Sequence, residues 1–174
     1  MDFILDELES EYPEFAGLTI GEGTASLIEK AISENNTTIS KLVIYTDGSC
    51  LKNPGPGGWC FCVLYDERDW VVSGGEQETT NNRMELMAVI EALEFVQEDC
   101  VINTDSQWVM KCGQNQWKRN KNIDLWDKFD EVSKDIRIEW NWVKAHNGNK
   151  YNEIVDKVAR EEAKIMKNLK CCNK

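Results

Sequence analysis

An α/β fold, a five-stranded mixed sheet flanked by helices in the order βββαβααβα, follows from three features of the sequence. Three apolar runs, at 41–48, 59–65 and 70–73, succeed one another with only polar or glycine-rich turns between them. Two further runs, at 101–104 and 136–143, are each set off by stretches of helical period, and that order suggests a mixed sheet flanked by helices. Two of the five runs end in an acid, Asp47 and Asp105.

The first run, Leu42-Val43-Ile44-Tyr45, leads to Asp47 and then to a loop punctuated by Asn53, Pro54, Gly55, Pro56, Gly57 and Gly58. A carboxylate closing a buried strand is costly without a cation or a hydrogen-bond donor. Trp59–Tyr65 and Trp70–Ser73 read as the second and third strands, joined by the turn Asp66–Asp69. In Asn81–Glu98 the residues Leu86, Val89, Ile90 and Leu93 follow the i, i+3, i+4, i+7 rule of an amphipathic helix. Glu85 lies in its first turn, on the side of Ala88 and Ala92, whose small size predicts close packing on the sheet. Val101–Thr104 is a short buried strand and Ser106–Lys111 a brief helix. A polar, basic and aromatic stretch runs to Asn122. Asp124–Lys134 is helical, Ile136–Val143 is the fifth strand, and Ala145–Asn152 is a loop. Glu153–Asn168 closes the chain as a helix with Val155, Val158, Ala159 and Ala163 inward.

The 174 residues suit one compact domain with an appendage. Residues 1–39 are an acidic extension of unassigned function, open to a protein partner, and hold most of the acidity. The first 40 residues carry nine acids and one base, net −8, which leaves −3 of the total −11 for the remainder. Within that remainder Lys118, Arg119 and Lys121 cluster near tryptophans, and such a patch can bind phosphate on an acidic chain. No apolar stretch approaches the roughly 20 residues of a membrane span, and the N-terminus does not read as a secretory signal. Seven cysteines without paired C-x-x-C spacing read as reduced thiols. The expected setting is the cytoplasm or another reducing intracellular compartment, with the nucleus and a virus-infected cell left open.

Asp47, Glu85, Asp105 and Asp156 stand out as a set. If the first and fourth strands are parallel neighbours, Asp47 and Asp105 share the carboxyl edge, where open α/β sheets bind ligands. Each acid also has a local explanation. Asn82-x-x-Glu85 fits a capping pair, Asp156 in the first turn of the last helix suits its dipole, and Asp47 and Asp105 could each begin a turn. Four converging carboxylates would repel one another unless divalent cations neutralised them, and an all-oxygen set favours Mg²⁺ or Mn²⁺ over zinc.

Five stretches resemble ribonuclease H of type 1, the bacterial and eukaryotic enzymes that cut RNA within RNA–DNA hybrids. They are Y-T-D-G-S-C-L-K-N-P-G-P-G-G-W at 45–59, T-T-N-N-R-M-E-L-M-A at 79–88, T-D-S-Q at 104–107, K-N-I-D-L-W at 121–126, and V-K-A-H-N-G-N…N-E-I-V-D at 143–156. Together they cover roughly residues 41–165, in the family's order and spacing. The resemblance implies an RNase H-like fold for the catalytic domain at 40–174. It implies an endoribonuclease that hydrolyses the RNA strand by a two-metal-ion mechanism, leaving 5′-phosphate and 3′-hydroxyl ends. Two Mg²⁺ ions would be held by the four carboxylates, with Mn²⁺ able to substitute: one by Asp47 and Asp156, the other by Asp47, Glu85 and Asp105. His146, the sole histidine, matches a mobile-loop residue that assists proton transfer or product release. Ser49, Asn53, Asn81 and Asn82 match the surface that reads RNA 2′-hydroxyls. Thr80 and Asn122 match a DNA-phosphate pocket. Trp108 and Trp117 would line the DNA groove, where stacking tolerates any sequence; the alternative for each is core packing. The expected partner is the hybrid and the expected state a monomer.

Two departures from the family pattern bear on affinity. The basic protrusion of many relatives is shortened to Trp108–Lys121, with Lys118, Arg119 and Lys121 as its remnant. Glu78 stands seven residues before Glu85, where the family often has an arginine. The rival readings are a non-catalytic hybrid-binding module and a nuclease domain derived from a reverse transcriptase.

Overall fold

The computed structural model describes residues 41–65 and 68–172, with side chains to residue 169. The acidic extension, residues 66–67 of the turn between the second and third strands, and the Cys171 and Cys172 side chains lie outside the described residues. The elements are β1 (Leu42–Cys50), β2 (Gly55–Tyr65), β3 (Arg68–Thr79), α1 (Asn81–Val96), β4 (Cys100–Thr104), α2 (Gln107–Gly113), α3 (Ile123–Ser133), β5 (Ile138–Trp142) and α4 (Lys150–Cys172). The sheet order is β3-β2-β1-β4-β5. β2 pairs antiparallel with β1 and β3, while β1, β4 and β5 are parallel. The expected α/β architecture, βββαβααβα, is therefore the observed one.

Strand periodicity divides the core into two layers. On β2, Phe61 and Val63 face a cluster built from Leu86, Val89, Ile90 and Leu93 of α1 and Leu125, Trp126 and Phe129 of α3. Cys60 and Cys62 face the opposite layer, with Ile154, Val155, Val158 and Ala159 of α4. No helix among the described residues is long and apolar enough to cross a membrane.

Among the boundaries that differ from the sequence expectation, four have a reason in the contacts around them. β2 begins at Gly55, so Gly57 and Gly58, placed in a loop, pair with Cys50 and Ser49 of β1. β3 runs to Thr79 rather than Ser73. Its polar composition concealed a strand whose Gly74 and Gly75 leave room for the Trp59 ring and for Met166. α1 stops at Val96 because Gln97 turns left-handed (φ 51°) and its N–H caps the Leu93 carbonyl at 3.0 Å. α4 starts at Lys150 because the Asn149 side chain accepts the Asn152 N–H at 3.1 Å, and its carbonyl accepts the Glu153 N–H at 3.0 Å. Asp156 therefore lies in the second turn of α4, and the first-turn dipole explanation falls away.

Candidate functional site

The last rung of the β1–β4 ladder joins Thr46 to Thr104. The next residue on each strand is the acid, so Asp47 and Asp105 sit side by side at the carboxyl edge. Gly48 lets a third acid join them. A Cβ there would overlap the Glu85 amide nitrogen and the Met84 carbonyl carbon. Only glycine allows the start of α1, with Glu85, to rest against the end of β1. Asp156 reaches the same edge from α4, close enough for its charge to act on Asp47.

The electrostatics reflect this crowding. The Asp47 carboxyl is pushed well above the usual range, first by burial, then by the charges of Asp105, Asp156 and, last, Glu85. The Gly48 N–H opposes the shift. Glu85 is pushed up to about 7, chiefly by burial and then by Asp105. Hydrogen bonds from Ser106 Oγ (2.5 Å) and Asn81 Nδ2 (2.8 Å) hold its carboxylate and work in the other direction. Asp156 is raised by burial, while the charges of Arg160 and His146 pull it down.

The capping-pair explanation of Glu85 fails. Thr80 is the N-cap of α1, and the Glu85 carboxylate is taken by Asn81 and Ser106. Ser106 itself caps α2, accepting the Val109 N–H at 3.3 Å. Asp105 Oδ2 accepts from Asn152 Nδ2 at 3.3 Å.

Asn53 and Asn81 come together: the Asn53 side-chain oxygen accepts the Asn81 N–H at 3.1 Å. A continuous chain of bonds thus links the loop after β1 to Glu85 and Ser106. Ser49 is half-buried opposite Gly58, and Asn82 is exposed on α1. Thr80 and Asn122 precede α1 and α3, which Arg83 and Asp124 tie together. Trp108 is half-buried, edge-on to Trp126 at 5.5 Å, so part of its surface belongs to the core. Trp117 is 46% exposed with Lys111 Nζ 5.0 Å from its ring. His146 is exposed and left-handed (φ 50°), its Nδ1 3.9 Å from Asp156 Oδ2.

One expectation is corrected. Arg119 is not part of a free basic patch. Its Nε donates to the Cys112 carbonyl at 3.0 Å, and Nη1 donates to both Asp130 oxygens at 2.6 and 2.8 Å. Its guanidinium stacks 4.3 Å over Trp126. Lys118 and Lys121 are exposed.

Several residues at the site are not among the sequence-based candidates. Arg160 pairs with Asp156 one helical turn away, a spacing that is legible in the sequence. Asn152 falls at the end of the loop expected at 145–152. Cys50 donates its thiol to the Lys52 carbonyl at 2.6 Å inside the Asn53 turn, and Trp142 donates to the Asp105 carbonyl. No periodicity signals either bond.

Among the described residues, no three Asp, Glu, His or Cys side chains already form a group that could hold a metal ion. The donor chemistry nevertheless fits a hard divalent cation. All four groups are oxygen ligands, and Asp47 is raised first by burial and then by the neighbouring charges of Asp105, Asp156 and Glu85, which a bound cation would offset.

The RNase H family profile matches residues 39–164. A ribonuclease H of Ehrlichia ruminantium (strain Gardel) is 44% identical over 139 residues, covering 71% of this chain and 95% of the relative. One of Pseudoalteromonas translucida (strain TAC 125) is 47% identical over 136 residues, covering 69% and 88%. Among solved structures, LC9-RNase H1, described as a type 1 RNase H with the type 2 active-site motif, superposes with a TM-score of 0.64 at 29% identity. It covers 75% of this chain and 76% of its own. LC11-RNase H1, solved in complex with RNA/DNA hybrid, shares the fold with a TM-score of 0.59 at 22% identity, covering 70% and 98%. With a profile spanning most of the sequence and relatives this similar along nearly their whole length, the chain belongs to the RNase H family.

Proposed function

We propose that residues 40–174 form a metal-dependent endoribonuclease that hydrolyses the RNA strand of RNA–DNA hybrids, leaving 5′-phosphate and 3′-hydroxyl ends. The observation that carries this reading is the meeting of Asp47, Glu85, Asp105 and Asp156 at one sheet edge, with Asp47 raised by burial and then by the charges of the other three. These four carboxylates would hold two Mg²⁺ ions, or Mn²⁺ in their place. Bound there, the ions supply Lewis acidity for activating water and for neutralising charge on the departing oxygen. Asn81 and Ser106 orient Glu85 for that task, and Asn152 orients Asp105. His146, exposed with its Nδ1 3.9 Å from Asp156 Oδ2, assists proton transfer or product release. Ser49, Asn53, Asn81 and Asn82 contact RNA 2′-hydroxyls; Thr80 and Asn122 take a DNA phosphate; Trp108 and Trp117 face the DNA strand. Both relatives carry the name ribonuclease H, and the LC11 complex with a hybrid supports the substrate class. On the cysteine usage of the sequence, we place the enzyme in a reducing intracellular compartment, acting as a monomer, with residues 1–39 a separate extension.

The test offers purified protein labelled RNA–DNA hybrid, double-stranded RNA and double-stranded DNA in Mg²⁺, beside Asp105→Asn. RNA cleavage confined to the hybrid and abolished in the variant is expected. Absence of hybrid cleavage, or full activity in the variant, would sink the assignment.

A further inference from the structure

We infer that Trp142 is a positioning residue for Asp105, acting through its indole N–H. The inference rests on the reading of Asp105 as a site carboxylate.

The parallel β4–β5 ladder ends where Thr104 pairs with Trp142, and its final backbone bond runs from Val143 N–H to the Thr104 carbonyl at 3.0 Å. Asp105 lies one residue beyond that bond, between the end of a strand and the Ser106 cap of α2. A residue in such a corner has left the strand and not yet entered the helix, so neither regular element holds its peptide plane. Trp142 supplies the missing rung from a side chain. Its Nε1–H donates to the Asp105 carbonyl at 3.1 Å. Asn152 meanwhile donates to the carboxylate from α4. Asp105 is thus held at both ends by two elements that do not contain it.

The tryptophan is not required for packing in the way its neighbours are. Trp140, two residues earlier on the same face of β5, packs against Phe129 and the core. Trp142 is 43% exposed. A large apolar ring left this open at the rim of a site, with its one polar atom on the carbonyl of a site acid, is explained by that bond. Released from it, the Asp105–Ser106 peptide plane keeps only the Ser106 N–H bond to Thr104 Oγ1 at 3.1 Å and can pivot about it, and a displacement of about 1 Å at a reacting group can cost on the order of a hundredfold in rate.

The test is Trp142→Phe, which keeps an aromatic ring and removes only the donor; melting temperature and near-ultraviolet circular dichroism verify the fold. We expect kcat on the hybrid to fall about tenfold with KM within about twofold of wild type. Mn²⁺ affinity, read by calorimetry without nucleic acid, should weaken several-fold. A kcat within twofold of wild type, or a rise in KM alone, overturns the inference, the latter by making Trp142 a substrate contact. If the wild-type protein fails to cut hybrid at all, the functional reading falls instead. Unchanged Mn²⁺ affinity in Trp142→Phe then overturns the positioning role, and weakened affinity upholds it.

Discussion

Arg83 in the first turn of α1 holds Asp124 in the first turn of α3 through two parallel bonds, Nη1 to Oδ1 at 3.0 Å and Nη2 to Oδ2 at 2.8 Å. The pair ties together the two helix starts that carry Thr80 and Asn122. Asp124 is largely exposed, and exposed pairs contribute only about 0–1 kcal/mol. Arg83→Ala should therefore change the melting temperature little while weakening hybrid binding several-fold, because the two residues proposed to take a DNA phosphate lose their common frame. Fluorescence anisotropy with a labelled hybrid, in an Asp105→Asn background to prevent cleavage, checks this. A large loss of stability with unchanged affinity would contradict it.

Gly48→Ala should be among the most damaging single substitutions in the chain. The new methyl would meet backbone atoms of Met84 and Glu85, which cannot move aside as a flexible side chain can. Overpacking of this kind costs about 1–3 kcal/mol, and the strain here falls on the element that delivers Glu85. Urea unfolding should show that loss, together with near-complete loss of activity in whatever folds.

The sequence exposes most of this architecture because pattern and period speak for the core. Leu86, Val89, Ile90 and Leu93 fall on one helix face and are all fully buried, as are Val155, Val158, Ala159 and Ala163. The strand-end acids are legible for the same reason: an apolar run that stops at a carboxylate has few bland explanations. What stays hidden depends on contacts between distant residues. Arg119 reads as one more basic residue among Lys118 and Lys121, and nothing local reveals Trp126 beneath it. Residues 74–79 look like a polar loop because glycine is a poor strand former; their strand exists through pairing with β2. Asp156 shifts from first turn to second because Asn149 caps α4 earlier than the apolar pattern suggests.

Without divalent ions, stability should fall as pH rises from about 5 to 8. Glu85 moves from its ordinary value of 4.5 to about 7 in the folded protein, and Asp47 moves in the same direction. A carboxyl whose folded pKa exceeds its unfolded one binds its proton more tightly when folded. That contribution is complete below the unfolded value and is lost as pH passes through about 7. For Glu85 the loss is at most about 3 kcal/mol. Thermal melts in EDTA should show the decline, Glu85→Gln should flatten it, and excess Mg²⁺ should reduce it in the wild type. A flat profile in EDTA would refute the assignment of these shifts.

His146→Ala should slow turnover about tenfold or more while leaving Mn²⁺ affinity within about twofold. The imidazole lies 3.9 Å from the Asp156 carboxylate on an exposed loop, so it can relay a proton without serving as a ligand. Calorimetry showing that metal binding is abolished would assign it to the ligand set instead.

Lys118 and Arg119 should separate cleanly, although they are adjacent. Lys118→Ala and Lys121→Ala remove exposed charges from the stretch that follows Trp117 in the sequence. Each should lower hybrid affinity and reduce the slope of log affinity against log salt by about 1, the change expected when one phosphate is no longer neutralised. Arg119→Ala removes a stacked guanidinium that bonds both the Asp130 carboxylate and the Cys112 carbonyl. Its cost should appear in folding, about 1–2 kcal/mol, from the missing stacking and the lost guanidinium bonds, while the Cys112 carbonyl keeps the Asn115 N–H at 3.1 Å. The salt slope should stay at the wild-type value. With the acid Glu78 exposed on β3 two residues before Thr80, a like charge opposes phosphate there, so affinity should drop steeply between low and moderate salt. An affinity insensitive to salt, or a changed slope in Arg119→Ala, would show that the binding surface lies elsewhere on the molecule.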